Sequence, residues 1–145
     1  MLVGVNSNRS AKPVVFANGC FDLLHPGHIS LLEYCSTVGY VVVGLNSDAS
    51  VKRLKGQSRP ILNQELRAYA LRSCRFVDEV RIFDEDTPLN LIEKLQPDFI
   101  VKGSEFVKSE VIGSHLAEVL IFDGQFDLST TKILNRVMKV KPNED

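Results

Sequence analysis

Short apolar runs alternate with amphipathic stretches along the chain, at the spacing of strands and helices. The run 40–45 (YVVVGL) is apolar almost throughout, as in a parallel sheet that is covered on both faces. The predicted strands are 13–17, 40–45, 79–83, 98–102 and 118–122. Helices are predicted over 26–38, 87–95 and 129–138 and after Asn63, and the polar stretch that ends at Pro60 is predicted as a helix or a loop.

Two of these helices have recognisable signals at their starts. Pro26 suits the first helical position, where its missing N–H costs nothing and its φ is already set. Asn63 can cap the helix in which Leu66, Ala70 and Cys74 recur every four residues. That spacing predicts that these three side chains form the apolar face of the helix.

The order of strands and helices predicts an α/β fold. Alternation at this spacing requires crossover connections, so we expect a single Rossmann-like open parallel sheet of about five strands with helices on both faces. One domain is predicted over 13–140, with a polar lead-in at 1–12 and a tail at 141–145. In such sheets the ligand binds outside the carboxyl ends of the strands, which directs attention to the loops that follow them.

Composition excludes several classes of protein. Seventeen basic and eighteen acidic residues give a net charge of −1, which argues against a nucleic-acid binder and offers no polybasic patch for a membrane surface. The apolar runs are too short to span a bilayer, and 1–12 has no signal-peptide pattern, so a soluble cytoplasmic protein is expected. Three cysteines argue against a disulfide framework, and Cys35 and Cys74 are predicted to be core residues.

The loop after the first strand, 18–28 (NGCFDLLHPGH), carries the strongest chemical signal. His25 falls at or beside the cap of the helix and His28 in its first turn, so both imidazoles lie at the positive end of the helix dipole. Gly27 between them allows a ligand to approach the backbone. Two imidazoles, free N–H groups and a small residue together predict a site for phosphate oxygens.

Two other interpretations of the histidine pair stay open at this point. The histidines could simply cap the helix, or they could form part of a metal site with Cys20. The only other histidine is His115 and there is no C-x-x-C, which disfavours zinc. The chain has neither a P-loop nor a G-x-G-x-x-G after its first strand, so those two modes of phosphate binding are excluded.

Five segments in order resemble one family. The segment 19–28 (GCFDLLHPGH) resembles the HxGH motif of the cytidylyltransferase-like nucleotidyltransferases, and 46–56 (NSDASVKRLKG) looks very like the corresponding stretch of the heptose 1-phosphate adenylyltransferases. The segments 75–80 (RFVDEV), 101–106 (VKGSEF) and 129–133 (STTKI) are also similar to family segments. The resemblance extends from Pro13 to about Arg136 and is specific as an ordered set.

The resemblance implies nucleotidyl transfer from a nucleoside triphosphate to a phosphorylated acceptor. It implies that His25 and His28 hold the α- and β-phosphates and that Lys55, with Lys52 and Arg67 as further candidates, contacts the acceptor phosphate. Asp22 would orient a histidine or contact ribose. The implied nucleotide-binding residues are Gly19, Cys20, Phe21, Asp22, Gly27, Lys102, Gly103, Glu105, Ser129, Thr130 and Thr131.

The last helix adds an independent indication of an anion. Ser129 is a suitable cap, but Lys132 follows in the first turn, where a cation is disfavoured unless an anion binds there. The Lys132 side chain itself is expected to extend into water. Mg²⁺ is the expected cofactor, carried by the triphosphate rather than by a carboxylate cage.

The choice of substrates depends on two departures from family patterns. Cytidylyltransferases for glycerol or choline phosphate usually have an arginine shortly before the serine–threonine pair, whereas 122–128 (FDGQFDL) has no basic residue. This favours ATP and a heptose 1-phosphate type of acceptor over CTP with glycerol phosphate, another polyol phosphate or a phosphonate. Gly103, Ser104 and Glu105 stand where the heptose enzymes have two glycines and an aspartate.

A non-catalytic nucleotide sensor is a further alternative, and a homodimer is expected from the resemblance.

Overall fold

Five parallel strands form the central sheet of a computed structural model that describes residues 11–142. Most of the predicted lead-in (1–10) and of the predicted tail (143–145) lies outside the described residues. The strands are β1 (Val14–Gly19), β2 (Tyr40–Asn46), β3 (Glu79–Phe83), β4 (Phe99–Gly103) and β5 (Glu118–Phe122). The helices are α1 (Pro26–Val38), α2 (Asp48–Lys55), α3 (Gln64–Arg72), α4 (Leu89–Leu95) and α5 (Thr130–Val137), and a 3₁₀ turn covers Lys108–Glu110.

The sheet has the order β3-β2-β1-β4-β5 and every pairing is parallel. The chain therefore builds outward from β1 to β3, returns to the other side of β1 as β4 and ends the sheet at β5. This confirms the predicted open parallel sheet. The reversal between β1 and β4 creates a crevice at their carboxyl ends, where open α/β sheets bind their ligands.

Two apolar clusters cover the two faces of the sheet. Val15 and Ala17 of β1 belong to a cluster that also contains buried residues of α1 and α3, whereas Val14 and Phe16 belong to one that contains buried residues of α4. Successive residues of β1 thus point to opposite faces, and both faces are buried. The prediction of helices on both faces is confirmed. None of the helices within 11–142 has the length and apolar character needed to cross a membrane.

The buried face of α3 differs from the prediction. Asn63 caps the helix as expected, its side chain accepting a hydrogen bond from the Leu66 N–H at 3.0 Å. The helix nevertheless buries Arg67, Ala68 and Leu71, while Leu66 is 53% exposed. The predicted apolar face is therefore wrong for Leu66 and Ala70, whereas Cys74, beyond the end of the helix, packs against the core as predicted. The reason is that Arg67 points inward, because main-chain carbonyls from other segments accept its hydrogen bonds.

Candidate functional site: a cleft at the carboxyl ends of the sheet

A cleft of about 940 Å³ opens where β1 and β4 diverge. Its walls come from the loop that follows β1, the start of α1, the segment that follows α2, the turn after β4 and the segment that leads into α5. Three of these five segments directly follow a strand, so parallel topology brings them to the same edge of the sheet. This cavity thus lies where the fold predicts a ligand.

The loop after β1 has a constrained backbone. Phe21 and Leu23 have φ values of 45° and 53°, in the left-handed region that non-glycine residues rarely adopt. The ring of Phe21 is buried and lies 5.2 Å from the ring of His28, centroid to centroid. Unusual backbone of this kind persists where surrounding contacts impose it, and it is concentrated at functional sites.

His25 and His28 cap α1 reciprocally. His25 Nδ1 accepts a hydrogen bond from the Gly27 N–H at 3.1 Å, and His28 Nδ1 accepts one from the His25 N–H at 3.3 Å. The two rings stack with their centroids 3.7 Å apart. The arrangement is a capping box in which imidazoles replace the usual hydroxyl and carboxylate.

The cap determines which nitrogen of each ring carries the proton. A nitrogen that accepts a hydrogen bond has no proton, so a neutral imidazole with Nδ1 in the cap must carry its proton on Nε2. Burial lowers the pKa of His25, and burial together with the charges of His25 and Lys55 lowers the pKa of His28 to about 4. Both rings are therefore neutral at pH 7 and each has an Nε2–H donor available for a ligand.

Gly27 is required for this geometry. A Cβ at Gly27 would lie 2.8 Å from Cε1 of His25, closer than two carbon atoms can approach. Any larger residue would therefore push the His25 ring out of its capping position. The small residue between the histidines does more than admit a ligand, because it makes room for the imidazole itself.

Three buried polar atoms in the cleft have no hydrogen-bond partner. Among residues 11–142 these atoms are Asn18 Oδ1, His25 Nε2 and Arg59 Nε, and all three residues line the cleft. Buried polar atoms are normally hydrogen-bonded, and leaving one unpaired is destabilising by about 1–3 kcal/mol. Because all three atoms lie in one cavity, we expect a polar ligand to supply their missing hydrogen-bond partners.

The N-terminus of α5 closes the cleft on the side of β5. Ser129 caps the helix by accepting a hydrogen bond from the Lys132 N–H at 3.1 Å, and its hydroxyl hydrogen remains available. Thr130 is buried and donates its hydroxyl to the main-chain oxygen of Asp22 at 2.6 Å. Lys132 is exposed, as expected, and its ammonium group pairs at the surface with the exposed carboxylate of Asp127.

Basic side chains line two other walls of the cleft. Lys55 is the last residue of α2 and is exposed, and its charge acts on both His28 and Cys20. Lys102 is at the end of β4, where burial lowers its pKa and the nearby Glu105 opposes that shift. Its ammonium group lies 4.9 Å from the centre of the Phe106 ring, which is a cation–π contact.

Most residues predicted for the site line this cleft. They are Gly19, Cys20, Phe21, Asp22, His25, Gly27, His28, Lys55, Lys102, Gly103, Glu105, Ser129, Thr130 and Thr131. Lys52 and Arg67 are not among the lining residues. Arg67 is fully buried and donates to Leu62, Cys20 and Asn46 main-chain oxygens at 2.8 Å, and it pairs with Asp48 at 2.9 Å. This geometry makes Arg67 a link between segments rather than a phosphate ligand.

Asp22 also has contacts that the sequence did not predict. Its carboxylate is 2% exposed and accepts hydrogen bonds from the N–H groups of Ile61 and Leu62 at 2.6 and 3.0 Å. It forms no hydrogen bond to either histidine in the described residues. Sequence reasoning also missed Asn18 and Arg59, because nothing in their local pattern shows that strand β1 and the segment after α2 converge on one cavity.

The metalloprotein alternative lacks a ligand set. Nowhere in 11–142 do three histidine, cysteine, aspartate or glutamate side chains converge as a metal site requires. Both Nδ1 atoms of the histidine pair are engaged in the cap, and burial raises the pKa of the Cys20 thiol, which disfavours the thiolate that binds zinc. Cys35 is buried and Cys74 packs against the core, and the three cysteines are free, as predicted.

Comparison with known proteins identifies the family. The model of the cytidylyltransferase-like family matches residues 16–136, which include nearly all of the sheet, the residues that line the cleft and nearly all of α5. The chain belongs to the cytidylyltransferase-like family. The resemblance noted from the five sequence segments is thereby confirmed, and the histidine pair described above lies within the matched region of this family.

Relatives within the family are similar over nearly the whole chain. The bifunctional protein HldE of Campylobacter concisus is 52% identical over 141 residues, which cover 96% of this chain and 30% of that protein. The bifunctional protein HldE of Helicobacter pylori strain Shi470 is 48% identical over 130 residues, which cover 88% of this chain and 28% of that protein. The chain thus spans about 30% of the length of the curated relatives that it matches.

Solved structures share the fold. The lipopolysaccharide core biosynthesis protein from Thermoplasma volcanium GSS1 superposes with a TM-score of 0.69 at 25% identity, covering 79% of this chain and 98% of that one. Pantothenate synthetase from Thermus thermophilus superposes with a TM-score of 0.59 at 17% identity, covering 92% of this chain and 65% of that one. The second similarity demonstrates the fold alone.

Proposed function

We propose that this domain transfers AMP from ATP to a sugar phosphate of the heptose 1-phosphate type and releases pyrophosphate. The observation that carries the proposal is the pair of neutral imidazoles at the N-terminus of α1. Each has its Nδ1 fixed in the cap and its Nε2–H available, and one of these donors is buried in the cleft without a partner. Such donors match phosphate oxygens, which only accept hydrogen bonds.

The reaction requires positioning and charge stabilisation rather than a base. A phosphate oxygen of the acceptor attacks the α-phosphorus, a new P–O bond forms, and the bond to the bridging oxygen breaks so that pyrophosphate leaves with its electron pair. The attacking oxygen is already anionic at neutral pH, so no proton needs to be removed. His25 and His28 donate to non-bridging oxygens as charge develops, and preorganised donors of this type are each worth roughly 10²–10³ in rate.

In this proposal, different parts of the nucleotide bind to different walls of the cleft. Phosphates suit the wall made by α1 and α5, where two helix N-termini and the Ser129 hydroxyl converge. The base and ribose suit the wall beyond β4 and β5, where Phe106 contacts Lys102 and where Phe106 and Phe126 are both exposed. Mg²⁺ enters with the triphosphate in this proposal, since the described cleft offers it no cluster of carboxylates.

Three observations support ATP and a sugar phosphate as the substrates. The segment 46–56, which includes α2 and Lys55, resembles that of heptose 1-phosphate adenylyltransferases. The Thermoplasma volcanium protein of the same fold is described as a lipopolysaccharide core biosynthesis protein. The segment 122–128 has no basic residue, although Gln125, Phe126 and Leu128 from it line the cleft. A cytoplasmic location and a homodimer remain part of the proposal.

Pyrophosphate release tests the function directly. The purified protein is given MgATP or MgCTP with heptose 1-phosphate, glycerol 3-phosphate or no acceptor. The proposal predicts release only with ATP and heptose 1-phosphate. His28→Ala should lower kcat by about 10². The matched variant His115→Ala should turn over normally, because His115 lies outside the cleft. Release with CTP and glycerol 3-phosphate would establish the alternative, and triphosphate binding without release in any pair would indicate a sensor.

A further inference from the structure

The segment between α2 and α3 brings a second basic side chain to the cleft. Gly56 ends α2 with a φ of 99°, a left-handed conformation that suits glycine, and its N–H donates to the Lys52 carbonyl. The chain then turns back towards the loop that follows β1, so that Arg59 lines the same cavity as Lys55. These two residues approach the cleft from the side of β2, opposite to the side of β4.

Arg59 has hydrogen-bonding capacity that the protein does not use. Its side chain is only 13% exposed, and its Nε is buried without a hydrogen-bond partner among residues 11–142. The nearest acid is Asp22, whose Oδ2 lies 3.5 Å from Arg59 Nε, which is an ion pair without a hydrogen bond. A largely buried guanidinium whose Nε–H has no partner can bind an anion, since its fork of N–H groups matches phosphate.

Asp22 holds Arg59 in place without consuming its donors. The Asp22 carboxylate already accepts two hydrogen bonds, from the N–H groups of Ile61 and Leu62, and this fixes the segment that carries Arg59 against the loop after β1. The main-chain oxygen of Asp22 also accepts the Thr130 hydroxyl. One residue thus ties three walls of the cleft together: the first loop, the segment after α2 and the start of α5.

We propose that Arg59 binds the phosphate of the acceptor and that Asp22 is its positioning residue. This inference rests on the proposed function and adds a residue to the acceptor subsite. The strand order supports the acceptor rather than the triphosphate, because β1 separates the wall that carries Arg59 and Lys55 from the wall beyond β4, where the base is placed. An acceptor phosphate held between Arg59 and the histidine pair would lie beside the α-phosphorus.

Isothermal titration separates the two substrates. Heptose 1-phosphate, and separately inorganic phosphate, is titrated into the protein with and without a non-hydrolysable ATP analogue. Arg59→Met should weaken binding of heptose 1-phosphate roughly 10- to 100-fold, because it loses a hydrogen bond to a charged group. Its affinity for the ATP analogue should stay within about twofold of the wild-type value. Arg59→Lys should recover part of the loss as a point charge. The control Arg72→Met, at an exposed position at the end of α3, should match the wild type.

The outcomes distinguish this inference from the proposed function. Unchanged affinity of Arg59→Met for both phosphate probes, or equal losses for the acceptor and the ATP analogue, would overturn the role of Arg59. A wild-type protein that binds neither phosphate probe would overturn it as well. Binding of inorganic phosphate that depends on Arg59, with no pyrophosphate release from any substrate pair, would refute the proposed function and keep the phosphate site.

A double-mutant cycle tests the positioning role of Asp22. Asp22→Asn keeps an oxygen that can accept from a main-chain N–H but removes the charge, and it should weaken acceptor binding by roughly threefold to tenfold. In the Arg59→Met background the same change should have no further effect on acceptor affinity, because its partner is absent. Additive losses in the double variant would show that Asp22 acts through the general structure of the cleft and not through Arg59.

Discussion

The cleft is bordered by two helix N-termini that are capped in different ways. At α1 the capping side chain is His25, which uses Nδ1 for the Gly27 N–H and keeps Nε2 for the cavity. At α5 the capping side chain is Ser129, whose single oxygen accepts from the Lys132 N–H. The next side chain, Thr130, donates to Asp22, and Lys132 pairs with Asp127.

This difference shows how one residue can stabilise a helix and also bind a ligand. An imidazole has two nitrogens on opposite sides of a rigid ring, so the cap bond fixes its orientation and its tautomer and directs the other nitrogen into the cleft. A hydroxyl has one oxygen and a freely rotating proton, so its cap bond directs nothing. The capping and phosphate-binding interpretations of the histidine pair are therefore compatible. We expect α1 to contribute more to catalysis than α5.

Separating the two roles of His25 should produce the largest effect. Asparagine is a strong N-cap, so His25→Asn can keep the cap but has no donor at the position of Nε2. We expect kcat to fall by about 10² while the free energy of unfolding changes by less than about 1 kcal/mol. Steady-state kinetics and urea denaturation measure the two quantities. Normal turnover with an intact fold would contradict the assignment of the donor.

Displacing the same ring without removing it should have a smaller effect. In Gly27→Ala the new Cβ would lie 2.8 Å from the His25 ring, so the ring must move. A shift of this kind in a positioned donor is expected to lower kcat by roughly 10- to 100-fold. Gly124→Ala is a suitable control, since a Cβ at Gly124 meets nothing closer than 3.8 Å. If both variants turned over at the same rate, the proposed dependence on ring position would be wrong.

Removing the cap of α5 should affect stability more than turnover. Ser129→Ala loses the acceptor for the Lys132 N–H, which is expected to lower the free energy of unfolding by about 1 kcal/mol. We expect kcat to fall by less than about tenfold, since only a freely rotating donor is lost. Thermal or urea denaturation and pyrophosphate release check the two parts. If Ser129→Ala lowered kcat as much as His25→Asn, the claim that α1 contributes more to catalysis than α5 would be wrong.

The histidine pair should also make stability depend on pH. The pKa of His28 falls from an ordinary 6.5 to about 4 in the folded chain, so the unfolded chain binds protons more readily below pH 6.5. The free energy of unfolding is therefore expected to be unaffected by this residue above pH 6.5 and to decrease as the pH falls towards 4. Urea denaturation from neutral pH down towards the folded pKa measures this dependence. The free energy of unfolding of His28→Gln should decrease less steeply with falling pH than that of the wild type. Identical slopes for the two proteins would contradict the lowered pKa of His28.

Features with local signals were predictable from the sequence. The bounds of α1 match the prediction because Pro26 and Gly39 mark its ends within the chain itself. The open parallel sheet followed from the alternation of elements, since parallel crossovers allow few arrangements. The histidine pair was recognised as a candidate site because its spacing places both residues in one helical turn.

Features that depend on distant partners were not predictable. Arg67 has the pattern of an exposed helix residue, yet its guanidinium is buried because it donates hydrogen bonds to the carbonyls of Cys20, in the loop after β1, and of Asn46, at the end of β2. The contacts of Asp22 with Arg59 and Ile61 form only because the segment after α2 packs against the loop after β1, which is distant in the sequence. A one-dimensional pattern contains no information on such convergence, whereas the folded chain displays it in one cavity.

The tautomer of the two histidines is the most direct test of the central claim. Nitrogen-15 NMR of the imidazoles at neutral pH reports which ring nitrogen is protonated, with and without a non-hydrolysable ATP analogue and Mg²⁺. We predict neutral rings protonated at Nε2 for both His25 and His28, with Nε2–H resonances that shift when the triphosphate binds. Imidazolium rings, protonation at Nδ1, or resonances unmoved by a bound triphosphate would contradict the account.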